Sequence, residues 1–259
     1  MRGGALALAY HAVETGPAPL CTDPALLREH LDVLADCGAR TLTVSELAAA
    51  LAGGELPERG VAITFDDGFA SVAEQAAPLL AERGQRATVF CVAGAVGGVN
   101  DWPSQPRRAP RRPLADALQL RELADAGLEI GSHGVDHAPL AGAPAAAARW
   151  EVVESRAMLE ELLQRPVTSF AYPYGAVPGG EIRALLRQTY EAACTTELGT
   201  VRAGTDPFRI PRVDVHYVRR PDRLRRALEG SLGGYLRLRR AGARSRRLVR
   251  KDYLRVAAR

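Results

Sequence analysis

Two adjacent carboxylates stand directly after a short apolar run. Residues 61–65 are apolar or β-branched, and Asp66, Asp67 and Gly68 follow them. Adjacent side chains at a strand end can point in different directions, so one carboxylate could bind a metal ion while its neighbour acts as a general base. The structural alternative is an ordinary Asp-rich turn that caps a helix, and this segment alone leaves both interpretations open.

Two histidines four residues apart follow a second apolar run. His133 and His137 come after residues 128–130 and are two of only five histidines in the chain. A helical turn or a tight loop would aim both imidazoles at one ion, and with one aspartate they would leave positions free for water and substrate. Such a pair is weak evidence alone. It gains weight because both polar segments follow strands, where barrel enzymes assemble their sites.

A third segment, residues 170–175, could supply a hydrogen-bond donor to a reacting oxygen. Its sequence is Phe-Ala-Tyr-Pro-Tyr-Gly. Pro173 restricts the backbone and Gly175 relieves crowding, so the main-chain N–H of Tyr174 could face a developing oxyanion. The alternative interpretation is an ordinary loop with two packed tyrosines.

The pattern of apolar runs predicts the α/β scaffold that must position these residues. Seven β-prone runs alternate with helical patterns, and their order implies a parallel sheet. The strands are predicted at 5–10, 61–65, 87–92, 128–130, 167–172, 190–195 and 208–213. The helices are predicted at 24–37, with Asp23 as the N-cap, and at 44–51, 71–83, 116–126, 144–163 and 181–188. About seven such units in a single domain suit a closed barrel, regular or irregular, better than an open sheet, although periodicity alone leaves both open.

The length and charge of the chain limit its organisation. With 259 residues, 47% of them hydrophobic, it can form one large domain. We expect the barrel at 1–220 and an Arg-rich helical extension at 221–259. Leucines and a tyrosine near helical spacing predict an amphipathic basic helix in this extension. A solvated helix face is the preferred interpretation, a membrane-surface contact is the alternative, and no nucleic-acid motif accompanies the arginines.

Three further features concern the compartment and the loops. Four cysteines lie far apart without a C-x-x-C pair, so we expect reduced core residues. A secretory signal and an apolar span of about 20 residues are both absent, which predicts a cytoplasmic protein unless a wrongly chosen start codon hides a leader. The Gly-, Pro- and Arg-rich loop at 94–113 breaks the alternation and could form one wall of a substrate groove.

The three polar segments together resemble a known enzyme family. Thr-Phe-Asp-Asp-Gly at 64–68, Ser-His-Gly-Val-Asp-His at 132–137 and Tyr-Pro-Tyr-Gly at 172–175 are similar, in order and spacing, to the successive motifs of the polysaccharide deacetylases, carbohydrate esterase family 4. The resemblance extends from about residue 5 to residue 215. It implies a distorted (β/α) barrel and a hydrolase that removes acetyl groups from an N-acetylated sugar.

The resemblance also implies a role for each motif residue. Asp67, His133 and His137 would hold a divalent metal, usually zinc. Asp66 would be the general base, and the backbone amide of Tyr174 would donate to the oxyanion. Acetate and a free amine would result once an acid protonates the leaving nitrogen.

The proton donor is where this sequence departs from the commonest pattern of the family. No Leu-x-Leu-x-His segment follows near the C-terminus. His11 ends the first predicted strand, and this placement resembles the branch that deacetylates poly-N-acetylglucosamine, in which the acid histidine lies near the N-terminus. We expect His11 to be the catalytic acid, with His216 in reserve. The alternative for either is a packed, hydrogen-bonded histidine.

A second departure is the absence of the arginine that usually stands just ahead of the third motif. Arg209 or Arg212 could approach Asp66 and keep it ionised, because an adjacent cation lowers the pKa of a carboxylate. We expect Arg212 to take this place, with a surface arginine as the alternative. His30 lies within the predicted helix at 24–37, and we expect a structural role for it.

Two other functions fit the same residues. The first is hydrolysis of a small cyclic amide or ureide. A deep, closed pocket would favour this small substrate, whereas an open trough beside the 94–113 loop would favour a glycan. The second is a carbohydrate-binding protein that has kept the barrel but lost turnover. The second is suggested by the absence of the C-terminal histidine segment that usually supplies the catalytic acid.

Overall fold

A curled sheet of nine strands forms the inner layer of the molecule. The computed structural model describes residues 4–105, 109–235 and 238–239, and the strand count refers to these residues. In chain order the strands are β1 (Gly4–Tyr10), β2 (Ala12–Val13), β3 (Cys21–Thr22), β4 (Arg40–Leu42), β5 (Gly60–Phe65), β6 (Thr88–Cys91), β7 (Glu129–Ser132), β8 (Ser169–Ala171), β9 (Ala192–Cys194), β10 (Val201–Arg202) and β11 (Val213–Asp214). Strands β2 and β3 pair only with each other, as a separate two-stranded sheet.

Helices pack around this sheet. They are α1 (Pro24–Asp36), α2 (Val44–Ala52), α3 (Ala77–Ala81), α4 (Ala117–Asp125), α5 (Ala145–Leu163), α6 (Gly180–Thr189) and α7 (Pro221–Leu228), with short 3-10 turns at Ala93–Ala95, Pro173–Gly175, Pro207–Arg209 and Val215–Tyr217. The predicted helices match to within one or two residues at most ends. The exception is the predicted helix 71–83, which consists of a π-helical turn at Val72–Ala76 followed by α3. Pro78 explains this, because it cannot donate to the carbonyl four residues earlier and its ring displaces that carbonyl.

The strand order confirms the predicted barrel. Its main path is β10-β1-β5-β6-β7-β8-β9, and every pair from β1 to β9 along that path is parallel. Strand β4 pairs with the first half of β5, and β10 pairs antiparallel with β1. Strands β4 and β10 were not predicted, because strands of two or three residues are too short for a hydrophobic period to show.

The predicted strand at 208–213 is wrong as a continuous element. Ile210 makes two backbone hydrogen bonds to the β9 segment, and β11 then pairs with β1 through Val213 opposite Leu8. Pro207 and Pro211 explain the interruption, since proline lacks the N–H that a ladder needs. The segment therefore passes from β9 to β1 and narrows the gap between the two ends of the curled sheet.

Helix α1 begins where the sequence predicts it. The Asp23 carboxylate accepts the N–H of Ala25 at 2.9 Å and caps the helix. His30 is fully buried on the inner face of α1, where Tyr10 Oη lies 2.9 Å from Nδ1 and the Arg219 carbonyl lies 2.9 Å from Nε2. These contacts give His30 a structural place in the core.

The C-terminal extension is described only in part. Helix α7 buries Leu224 and Leu228, and Arg225 forms an ion pair with Asp36 of α1 at 3.0 Å. The rest of the predicted amphipathic basic helix lies mainly outside the described residues, at 236–237 and from 240 onward. None of the described helices has both the length and the apolar character needed to cross a membrane. All four cysteines fall within the described residues and are free thiols; Cys21, Cys91 and Cys194 lie in the core, whereas Cys37 is half-buried.

Candidate active site

The carboxyl ends of four strands bring the candidate residues to one rim of the barrel. Because β1, β5, β7 and β8 run parallel, the residues that follow them emerge at the same edge. His11 follows β1, the two aspartates follow β5, and His133 follows β7. The third motif follows β8, where Pro173–Gly175 forms a 3-10 turn.

Asp67, His133 and His137 converge on one point. The Nε2 atoms of His133 and His137 lie 3.5 and 3.4 Å from Asp67 Oδ1, and one ligand atom from each of the three residues lies within 4.8 Å of the others. All three side chains are buried. Two imidazole nitrogens and one carboxylate oxygen are a donor set that proteins use for catalytic divalent metals.

The environment of His133 fits a cation at this point. Its Nδ1 lies 2.7 Å from the carbonyl oxygen of Ala171, which can only accept, so the proton belongs on Nδ1. Burial lowers the pKa of His133 to about 4 against the opposing effect of Asp66, so the imidazole is neutral near pH 7. Its Nε2 lone pair therefore faces Asp67 Oδ1 at 3.5 Å, an arrangement of two acceptors that a cation between them would stabilise.

Asp67 turns away from Asp66 because the backbone reverses there. Asp67 and Gly68 have φ angles of +71° and +74°, in the left-handed region. A Cβ on Gly68 would also lie 3.1 Å from the sulfur of Cys91, so glycine meets both the conformational and the spatial requirement. This reversal explains how neighbouring carboxylates take different surroundings.

Asp66 forms a buried two-pronged ion pair with Arg212. The guanidinium Nη1 and Nη2 atoms lie 2.6 and 2.8 Å from the two carboxylate oxygens. Arg212 is only 2% exposed, and it also donates to Thr64 Oγ1 and to the Thr195 carbonyl, both at 3.0 Å. Burial by itself raises the pKa of Asp66, but the Arg212 charge outweighs it and holds that pKa well below its usual range.

The other candidate arginine and the two candidate acids occupy different surroundings. Arg209 is exposed and pairs with Glu197 rather than with Asp66. His11 is half-buried, and its charge contributes to lowering the pKa of both Asp66 and Asp67. His216 is exposed in the 3-10 turn Val215–Tyr217, beside the ring of Tyr217.

Tyr174 has an unusual backbone conformation in the third motif. Its φ angle is +57°, and no acceptor among the described residues takes its backbone N–H. Gly175 follows at φ +67°, and a Cβ there would collide with Thr196. The Tyr174 ring meets the His137 ring edge-on, with centroids 4.7 Å apart. The Tyr174 ring therefore lies against one of the three converging residues.

Sequence reasoning did not identify Glu151, which holds the loop between the two histidines. Its buried carboxylate accepts the N–H groups of Val135 at 2.8 Å and Asp136 at 3.2 Å. Burial raises the pKa of Glu151, and these backbone hydrogen bonds oppose that effect. The only signal in the sequence is an acidic residue on the apolar side of a helix, which is unusual for a buried face.

Sequence reasoning also left the 94–113 loop as a groove wall without assigning its residues. Trp102 from this loop stacks on His137, with ring centroids 4.4 Å apart. Ser104 Oγ donates to the backbone carbonyl of His137 at 3.0 Å. The described part of the loop therefore contacts the candidate metal site directly.

The chain is similar to proteins of one family. A sequence model of that family, described as polysaccharide deacetylase, matches residues 53–193. YxkH of Bacillus subtilis (strain 168), which is named as a polysaccharide deacetylase, is 27% identical over 209 residues, or 80% of this chain and 70% of YxkH. The poly-beta-1,6-N-acetyl-D-glucosamine N-deacetylase of Staphylococcus epidermidis is 27% identical over 184 residues, or 68% of this chain and 61% of that protein.

A solved structure has the same architecture. IcaB from Ammonifex degensii superposes with a TM-score of 0.72 and 26% sequence identity, over 88% of this chain and 97% of that chain. The family match covers more than half of the chain and includes all three motifs. The resemblance drawn from the motifs is confirmed, and the chain belongs to the polysaccharide deacetylase family.

Proposed function

We propose that the protein is a metal-dependent hydrolase that removes N-acetyl groups from an N-acetylated sugar, whether polysaccharide, oligosaccharide or glycolipid, and releases acetate. The observation that carries this proposal is the convergence of Asp67, His133 and His137 beside an Asp66 that Arg212 keeps ionised. A metal-binding set and a separate ionised base are the two parts that hydrolysis of an amide requires.

Asp67, His133 and His137 would hold the divalent metal. We infer zinc, because two imidazoles and one carboxylate are the ligands of several catalytic zinc sites. When bound, the metal would polarise the acetamide carbonyl and lower the pKa of a water molecule. Measurement of metal content after purification and after loading with Zn²⁺, Co²⁺ or Ni²⁺ tests the choice of ion, since the donor set accepts several.

The remaining residues would handle protons and charge. Asp66 accepts a proton from the attacking water, using lone pairs that Arg212 does not occupy. The Tyr174 N–H donates to the oxyanion that forms on the acetamide oxygen. His11 then protonates the leaving nitrogen, so that the C–N bond breaks to give acetate and a free amine.

The comparisons support a sugar over the other substrates. The family is described as polysaccharide deacetylase, and the similar protein of S. epidermidis is named for a polymer of N-acetylglucosamine. A small cyclic amide has no such support. The complete ligand set and the ionised Asp66 favour turnover over carbohydrate binding alone.

Acetate release tests the proposal. Protein with a defined Zn²⁺ content would be incubated with polymeric, lipid-linked and nucleotide-linked N-acetyl sugars. We expect acetate from at least one class, and at least about 100-fold less from Asp66→Asn, which lacks the base. Asp222→Asn, an exposed aspartate on α7, is the matched control. If the zinc-loaded protein releases no acetate from any of the three classes, the proposal is wrong.

A further inference from the structure

The two histidines of the candidate metal site are oriented by different means. His133 is held by the hydrogen bond from Nδ1 to the Ala171 carbonyl. His137 has no such bond, because its buried Nδ1 has no hydrogen-bond partner among the described residues. Metal-binding histidines usually rely on a hydrogen bond at the outer nitrogen to fix the ring plane. The orientation of the His137 ring must therefore come from its other contacts.

Aromatic packing supplies those contacts. Trp102 stacks on the His137 ring with a centroid distance of 4.4 Å and an interplanar angle of 28°. Tyr174 meets the same ring edge-on from another side, at 4.7 Å and 78°. The imidazole is confined between two aromatic rings, so its rotation about the side chain is restricted without a hydrogen bond.

Ser104 ties these parts together through hydrogen bonds. Its Oγ donates to the His137 carbonyl at 3.0 Å. Tyr174 Oη lies 2.9 Å from the Ser104 carbonyl and 3.0 Å from its Oγ, and donates to Ser104. Because His137 and Tyr174 both have positive φ angles, each backbone is in a conformation that needs outside support. Ser104 bonds the His137 backbone directly and holds Tyr174 through its side-chain hydroxyl.

The loop that carries Trp102 and Ser104 is anchored at its base. Val99 pairs with Pro113 in an antiparallel bridge, and the Asn100 amide donates to the Pro110 carbonyl at 3.1 Å. Asn100 is fully buried and also accepts the backbone N–H of Arg112. Because these contacts fix the base of the loop, they also restrict the positions of Trp102 and Ser104, which follow it.

We propose that Trp102 and Ser104 are positioning residues that set the ring plane of His137 and couple the metal site to the Tyr174 amide. The role in hydrolysis rests on the proposed function, whereas the role in metal binding does not. Stacking by Trp102 orients the His137 ring, as the hydrogen bond to the Ala171 carbonyl orients the His133 ring. Ser104 makes the metal ligand and the oxyanion donor parts of one hydrogen-bonded unit.

Zinc affinity, measured by chelator competition, tests the role of Trp102 without an activity assay. We expect Trp102→Ala to bind Zn²⁺ at least about 10-fold more weakly, as for other partners of metal ligands. Trp102→Phe, which keeps an aromatic face, should recover most of the affinity. Trp150→Phe removes the other tryptophan, which is 51% exposed, and is the matched control. Equal zinc affinity in Trp102→Ala and in the control would overturn this part of the proposal.

Fluorescence gives a second reading of the same contact. In Trp150→Phe the only tryptophan left is Trp102, so its emission reports directly on the His137 ring. We expect Zn²⁺ or Co²⁺ to change this emission with a one-to-one stoichiometry, and His137→Ala to abolish the change. If the emission does not change when metal is added, the contact between Trp102 and His137 is contradicted, whether or not the protein releases acetate.

A double-mutant cycle tests the link through Ser104. Ser104→Ala removes the hydroxyl that contacts both the His137 carbonyl and Tyr174 Oη. Tyr174→Phe removes the hydroxyl that donates to Ser104 and keeps the backbone amide. We expect each to lower kcat by about 5-fold or more with little change in KM, and the double variant to lose less than the product of the two single losses. Ser231→Ala, which removes a hydroxyl bonded to the Arg226 carbonyl far from the site, is the control. Fully multiplicative losses would show that the two residues act independently and would overturn the coupling.

Discussion

Arg212 donates a hydrogen bond to each carboxylate oxygen of Asp66, at 2.6 and 2.8 Å, although the two residues are 146 positions apart in the sequence. The family resemblance leads one to expect an arginine just ahead of the third motif, where this chain has Phe170, Ala171 and Tyr172. Arg212 instead comes from the segment between β10 and β11, and its buried side chain reaches the aspartate. Its guanidinium gives the carboxylate a fixed orientation as well as a compensating charge.

Replacing Arg212 should shift the acidic limb of the pH–rate profile. In the wild-type protein the pKa of Asp66 lies well below its usual range, so the base stays ionised as the pH falls. In Arg212→Ala burial acts without the main opposing charge, so the pKa rises and activity is lost at a higher pH. Arg212→Lys keeps a charge and should show a smaller shift. The measurement is kcat/KM across the acidic range.

Arg209→Ala is the matched control, because Arg209 is exposed and pairs with Glu197. Thermal unfolding accompanies the kinetics, since breaking a buried ion pair costs about 3–5 kcal/mol and Arg212→Ala could fail to fold. Should folded Arg212→Ala keep the wild-type acidic limb, Arg212 has no part in keeping Asp66 ionised.

His11 and His216 can be separated by their effects on kcat. We expect His11→Gln to lower kcat by about 100-fold or more, because loss of the acid leaves the amine to depart unprotonated. His216→Gln should behave as wild type, since that side chain is exposed beside Tyr217. A larger loss in His216→Gln than in His11→Gln would reverse the assignment.

Glu151→Gln should loosen the loop that carries both histidines. The substitution places an amide NH₂ or a weaker acceptor opposite the N–H groups of Val135 and Asp136, and an unsatisfied buried donor costs about 1–3 kcal/mol. We expect a lower free energy of unfolding and weaker zinc binding. Glu154→Gln, half-buried on the same helix, is the control for both measurements. Unchanged zinc affinity in Glu151→Gln would mean that the loop holds its shape without this carboxylate.

Gly68 and Gly54 form a matched pair for separating backbone strain from crowding. Both have φ of +74°, but a Cβ on Gly68 would meet Cys91 while a Cβ on Gly54 would meet nothing within 4 Å. We expect Gly54→Ala to cost about 1 kcal/mol in unfolding free energy from strain alone. Gly68→Ala should cost more and should also weaken zinc binding, because it shifts Asp67. If chemical denaturation gives the same loss of unfolding free energy for Gly54→Ala and Gly68→Ala, Cys91 moves aside without an energetic cost.

Much of the barrel could be predicted from local pattern. The fully buried run of β5 and the capped start of α1 lie where the apolar residues and Asp23 place them. The prediction fails where proline interrupts the pattern, as in the π-helical turn before Pro78 and the broken strand around Pro211. In both places a single missing N–H changes the hydrogen bonding of the backbone.

The sequence by itself determined which residues could bind a metal and which strand ends would carry them. Asp66, Asp67, His133 and His137 are readable because each follows an apolar run within a few residues, and local periodicity records that relation. The sequence offered Arg209 and Arg212 as partners of Asp66, and only the tertiary structure decided between them and revealed the other partners. Arg212, Glu151, Trp102 and Ser104 reach the site from separate elements, and curling of the sheet and packing of the loop, rather than any local pattern, bring such distant side chains together.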